Sequence, residues 1–249
     1  MSDIYNAPQA ELAGDDSGNA GMGSIPKALA GDYQVAIGDT LSEAWAKTKG
    51  NKGTVWLGVL LYLVAYIGIS VVATLITGQS FTDPEANAGL GAILSNIIIV
   101  AVSAPLGAGM MMIGVKIARD EQVSGTEVFA HFDKILPLAV AMVLMYILMA
   151  LGFLLLIIPG IYLAIGYVMI LPLIVDKNLG PWQALELSRK AVTKHWFGVF
   201  GFMIVLMLLY FAGFLALIIG LIWAIPTLSI AYGILYRNMF GGHEANPEI

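Results

Sequence analysis

The 249-residue chain has no cysteine and only three histidines, and charged residues make up just 12% of it. Without cysteine there are no disulfides, thiolate zinc sites, iron–sulfur clusters or cysteine nucleophile, and no argument about redox compartment. Soluble domains carry about 25% charged residues. Half that, with 59% hydrophobic residues and a mean hydropathy of +0.84, excludes an ordinary water-soluble globule. The net charge of −5 offers no cationic footprint for nucleic acid. No Walker loop, Gly-x-Ser-x-Gly elbow or paired-acid motif is present, so no catalytic residue and no cofactor is expected.

What is present in quantity is uninterrupted apolar sequence. A helix needs about 20 apolar residues to cross the hydrocarbon. Stretches 53–82 and 86–115 are each one span long, and 135–175 and 197–236 are each about two. Pro159-Gly160 divides the first double stretch and Gly220 the second, at points suited to tight helical hairpins. The expected fold is therefore an all-α membrane protein with six spans, near 55–77, 91–115, 136–158, 161–175, 197–219 and 222–237. Re-entrant segments, or single long tilted helices in place of the pairs, are the alternative.

Six spans put every one of the 12 Lys and Arg residues on one side: Lys27, Lys47, Lys49, Lys52, Lys116, Arg119, Lys134, Lys177, Arg189, Lys190, Lys194 and Arg237. The other side receives only Asp83 and Glu85. Loop cations are retained in the cytoplasm during insertion, so both termini are expected there, in the inner membrane of a bacterium. Residues 1–33 are rich in Ala, Gly, Ser and Asp and read as a disordered cytoplasmic tail without a secretory signal. A membrane domain follows over 34–240, and 241–249 form a short cytoplasmic tail.

The membrane domain reads as three related units, about 38–118, 124–176 and 180–238, each a short cytoplasmic amphipathic helix followed by a hairpin. Without a gap, Ala44 matches Ala184, Thr48 matches Ser188, Lys49 matches Arg189, Trp56 matches Trp196 and Gly58 matches Gly198. The amphipathic segments are expected at 39–49, 125–134 and 181–196. They would lie in the headgroup plane, with Lys47, Lys49, Lys52, Arg189, Lys190 and Lys194 near anionic lipid phosphates and Trp45, Trp182 and Trp196 in the aromatic belt. Either they only anchor the fold, or they form a collar that binds lipid or a partner protein. Helix turns or kinks are expected at Pro105, Pro159, Gly160, Pro172 and Pro226, each kink freeing a carbonyl that needs a partner.

An ionisable side chain within a span would be the default functional hypothesis, and none is read there. Asn96 is expected either to join helices or to line a path. His131 and His195, with Asp133 and Glu127 nearby, lack metal-ligand spacing and read as interfacial histidines, so no metal is expected. Gly107 and Gly109 sit inside a span for close helix contact.

The runs Ile158-Pro159-Gly160-Ile161, Leu171-Pro172-Leu173-Ile174-Val175-Asp176, Gln183-Ala184-Leu185-Glu186-Leu187-Ser188 and Lys194-His195-Trp196-Phe197 resemble a family of bacterial integral membrane proteins. It includes YciC-like proteins and the membrane domain attached to some glycerophosphodiester phosphodiesterases. The likeness covers about residues 130–235, with Gln183 where the family has an acid. In the fused enzymes catalysis belongs to a separate soluble barrel. The resemblance therefore implies a non-enzymatic accessory membrane protein, an interaction subunit of a membrane complex or a homo-oligomer. The alternative is a small lipid- or solute-handling protein with a cavity between its hairpins.

Overall fold

In a bilayer every backbone polar group must be satisfied within its own segment, and for apolar runs of this length that means helix. A computed structural model describes residues 22–79, 89–216 and 219–241, and among these all regular structure is helical, without strands. Nine α-helices follow one another among the described residues: α1 (Ile25–Ala30), α2 (Ile37–Ile76), α3 (Leu90–Ala118), α4 (Ile135–Leu155), α5 (Ile157–Gly166), α6 (Ile170–Asp176), α7 (Pro181–Lys194), α8 (Trp196–Leu215) and α9 (Leu221–Phe240). Five segments are long and apolar enough to cross a membrane: Ile37–Ile76, Leu90–Ala118, Gly125–Leu155, Ile157–Asp176 and Trp196–Leu215. The chain is thus a multi-pass membrane protein in its helical make-up. The sixth expected span, 222–237, lies in α9, which is not among the five and carries Thr227, Ser229 and Arg237.

Several expected boundaries move. Part of the expected tail is folded: Ser24 caps α1, and Ile25, Ala28 and Tyr33 are buried, with α1 against α7 and α9. The spacing of Ile25, Ala28 and Leu29 gives even this short helix one apolar face. Residues 1–21 and 242–249 of the expected tails, and Asp83 and Glu85, lie outside the described residues. The expected amphipathic helix 39–49 is the first part of α2, which kinks at Lys49-Gly50, where Gly50 takes φ 89°. The expected helix 125–134 is instead two short 3₁₀ segments, Gly125–Phe129 and Phe132–Lys134.

The proline positions need the same correction. The break after α4 falls at Leu156, whose backbone is extended (φ −163°, ψ 153°), and not at Pro159-Gly160. Pro159 is the third residue of α5, where an N–H has no intrahelical acceptor to lose. Pro172 is likewise the third residue of α6, and the chain breaks at Tyr167–Met169. Pro105 and Pro226 sit inside α3 and α9, which run on through them. Two of the carbonyls that proline leaves without a donor are capped from elsewhere in the chain. In a continuous helix residue 172 would donate to Val168, and Tyr232 Oη donates to that carbonyl instead, at 2.8 Å. Residue 226 would donate to Ile222, whose carbonyl accepts from Trp56 Nε1 at 3.2 Å.

The core lies where the C-terminal halves of α3, α6 and α9 meet, with Ile113, Leu173, Ile174, Ile230 and Tyr236 almost fully enclosed. α3 and α9 cross with their backbones in contact. A Cβ on Gly233 would stand 2.1 Å from the Gly114 carbonyl oxygen, and one on Gly114 the same distance from that of Ser229. Gly109 lets the backbone of Val128 approach, as expected of a packing glycine. The helices before the core, α4, α8 and the second part of α2, bury few residues and turn Leu, Ile, Val and Phe outward. Each short segment ahead of them lies on a helix of a different stretch of chain. The first part of α2 contacts α9, Gly125–Phe129 contacts α3, and α7 contacts α5 and α6.

Candidate functional site

The shared end of α3, α6 and α9 concentrates the polar chemistry of the described chain. Two of the helices are closed by a basic residue and a turn-forming one, α3 by Arg119-Asp120 and α6 by Lys177-Asn178, while α9 carries the similar pair Arg237-Asn238 in its last turn before Phe240. Asp120 and Asn178 take positive φ (60° and 52°), a conformation these two residue types tolerate. Arg119 makes a two-pronged bond to Asp176, Nη1 to Oδ1 and Nη2 to Oδ2, both 2.8 Å. Its Nε and Nη2 donate to the Gly241 carbonyl at 3.0 and 2.6 Å. Tyr236 Oη donates to Asp176 Oδ2 at 2.9 Å, and Lys177 Nζ stands 3.6 Å from the same oxygen. The side chains of Arg119 and Asp176 are 2% and 0% exposed.

Burial alone would lower the Arg119 pKa, but the bond and charge of Asp176 outweigh it and hold the guanidinium above its usual value. Asp176 accepts from a guanidinium and a phenol and sits beside an ammonium. An oxygen pair so occupied is a clamp between helix ends.

A second layer surrounds this pair. Arg237 binds Glu43 through two bonds (2.6 and 3.0 Å) and the Ala118 carbonyl at 2.6 Å, tying α9 to α2 and α3. Lys47 bridges Glu43 and Asp120. Lys116 binds Glu127 at 2.7 Å, and Lys134 reaches the carbonyls of Ile174 and Val175.

The expected lipid or partner contacts therefore divide. Lys47 is spent on internal pairs, and Lys190 pairs with Glu186 at 2.8 Å. Lys52 lies 4.7 Å over the Trp223 ring. Lys49 and Lys194 are exposed, and the Arg189 stem lies over Gly166. Among the described residues none of these last three has a carboxylate within ion-pair distance. Trp45 and Trp182 are more than half exposed, while Trp196 is half-buried and donates Nε1 to the Tyr162 carbonyl at 3.3 Å.

The remaining candidates are kept apart. His131 Nε2 faces Glu127 at 3.3 Å, whereas His195 Nε2 meets the Gly31 carbonyl at 2.8 Å. Among the described residues no three of His, Asp and Glu come close enough to hold a metal. Asn96 is exposed and donates to Ala92 of its own helix. In the sequence Asp176 is only the last residue of the run Leu171-Pro172-Leu173-Ile174-Val175-Asp176. Its partner is 57 positions away, and the local signal is limited to the base-then-Asp/Asn pairs 119–120, 177–178 and 237–238.

Beside this frame, α5 and α8 enclose an open groove of about 530 Å³ lined by Ile158, Ile161, Tyr162, Trp196, Phe197 and Phe200. Trp196 stacks on Phe200 (5.0 Å, 10°) and Tyr162 (6.3 Å, 24°). A second groove of about 240 Å³ runs along α8 and α9 past Trp45, with Gly213, Ala216 and Gly220 in its floor.

No protein-family model, curated protein or solved structure matches this chain.

Proposed function

We propose that this chain is a non-enzymatic subunit of the bacterial inner membrane, with six spans, both termini cytoplasmic, and a role in holding a partner or itself within a membrane complex. One observation carries the reading. The buried polar groups at the shared helix ends are committed to one another, while the apolar helices α2, α4 and α8 and the tryptophans Trp45 and Trp182 face outward. Such a surface recognises other molecules through contact area, as membrane and interface helices do.

The packing supports three related units. The segment ahead of the second pair of helices lies on the first pair, that ahead of the third lies on the second, and α2 closes the ring on α9. Matched residues make matched contacts. Thr48 and Ser188 are both buried against the neighbouring unit, and the indoles of Trp56 and Trp196 both donate to a neighbouring helix carbonyl. A closed ring of hairpins makes α9 the sixth span and brings Arg119, Lys177 and Arg237 to one side, where loop cations stay in the cytoplasm.

With no native cysteine, the topology is tested by single cysteines in intact cells. Asn178→Cys should resist a membrane-impermeant maleimide and Gln79→Cys should react; the reverse pattern refutes the reading. The interaction role is tested by cross-linking in native membranes followed by mass spectrometry. A stoichiometric protein partner, or a second copy, that is lost in Trp45→Ala/Trp182→Ala supports it. Recovery of a bound lipid without a protein partner favours a lipid-handling protein, the reading to which the groove between α5 and α8 belongs.

A further inference from the structure

The groove between α5 and α8 is lined wholly by aliphatic and aromatic side chains, and its volume falls in the roughly 300–1,000 Å³ range of small-molecule sites. Its flank is polar and cationic. Tyr162 and Gly166, one turn apart on α5, face Arg189 and Thr193, one turn apart on α7. The Tyr162 hydroxyl meets Thr193 Oγ1 at 2.6 Å, and Thr193 Oγ1 donates to the Arg189 carbonyl at 2.6 Å. The Arg189 stem packs against Gly166, where a Cβ would stand 3.5 Å from its Cγ, which sets Arg189 one turn of α5 away from Tyr162 in the groove wall. Among the described residues Arg189 has no ion-pair partner, whereas Arg119 and Arg237 both bind carboxylates in pairs of hydrogen bonds.

A cation that is left unpaired at the end of an apolar groove in a membrane protein has a natural counter-ion in a lipid phosphate. We propose that the α5–α8 groove is a binding site for one anionic phospholipid. An acyl chain lies along Ile161, Trp196 and Phe200, and the phosphate is held by Arg189. The proposal rests on the membrane topology given above, because α5 and α8 must face acyl chains for the groove to fill this way.

Apolar surface alone would take any diacyl lipid, and the guanidinium adds the preference for negative charge. A Lys or Arg near an anionic membrane surface is worth about a fivefold change in binding. The test is native mass spectrometry of the full chain released from nanodiscs holding equal phosphatidylglycerol and phosphatidylcholine. The wild type should retain one phosphatidylglycerol per chain in preference to phosphatidylcholine. Arg189→Gln should lower that preference about fivefold. Lys49→Gln, which removes an exposed cation on α2 that does not line the groove, should leave it unchanged. Ile161→Trp, which fills the groove from its exposed rim, should reduce retention of both lipids.

Equal retention of the two lipids by the wild type overturns the proposal, and so does an Arg189→Gln chain that keeps the wild-type preference. Either result, with Asn178→Cys still protected in cells, leaves the topology standing and removes only the site. Labelling of Asn178→Cys from outside removes the topology itself.

Discussion

Removing the carboxylate of Asp176 should be among the most damaging single changes available in this chain. In Asp176→Ala the Arg119 guanidinium, 2% exposed, loses its two-pronged partner and keeps only the Gly241 carbonyl and the distant Glu121 carboxylate at 3.9 Å, and the Tyr236 hydroxyl loses its acceptor. Breaking a buried ion pair from one side costs about 3–5 kcal/mol. A lost acceptor for a buried hydroxyl adds about 1–3 kcal/mol. Against a typical stability of about 5–15 kcal/mol, the sum approaches the whole for a weakly stable protein. Solvent-exposed Glu186–Lys190, on the surface of α7, is the contrast: Glu186→Ala should leave stability close to that of the wild type.

Reversible unfolding in mixed micelles of increasing SDS fraction, followed by tryptophan fluorescence, measures both. The double variant Arg119→Met/Asp176→Leu should recover part of the loss, because it removes the stranded guanidinium while the Tyr236 hydroxyl still lacks its acceptor. A cost below about 1 kcal/mol for Asp176→Ala would refute the claim that this pair locks the three helix ends together.

Further outcomes follow from the same geometry. Gly233→Val should prevent the α3–α9 crossing, since its side chain would meet the Gly114 backbone, and the chain should lose its folded state by size-exclusion chromatography. Gly53→Ala meets nothing within 4 Å and should be neutral or stabilising by up to about 1 kcal/mol. Tyr232→Phe strips the Val168 carbonyl of its donor and should cost about 1–3 kcal/mol in the same micelle titration. Burial pushes Tyr33 from its usual 10.0 up to about 12, with its hydroxyl donating to the Ala191 carbonyl at 2.9 Å. A raised folded-state pKa means its contribution is whole below pH 10 and is lost as pH rises towards 12. Tyr33→Phe should remove about 1 kcal/mol at neutral pH and abolish that part of the alkaline loss.

The contrast between what could and could not be read beforehand is clearest at the prolines and the buried pair. Pro159 and Pro172 announce a break nearby, but not on which residue it falls. The first turn of a helix tolerates proline, so the breaks moved to Leu156 and to Tyr167–Met169. Residues 22–33 look like tail by composition, and only the face offered by α7 and α9 gives Ile25 and Tyr33 something to bury against.

Sequence alone determined the all-helical, multi-pass character of the chain, because the bilayer imposes its length and its exclusion of charge on each segment locally, one helix at a time. Only the tertiary structure decided which cations are spent on carboxylates inside the protein. Arg119 and Arg189 are the same residue type, and what separates them is a carboxylate 57 positions from the first and none within ion-pair distance of the second among the described residues. Charge pairing is a property of distance in space, and distance along the chain does not encode it.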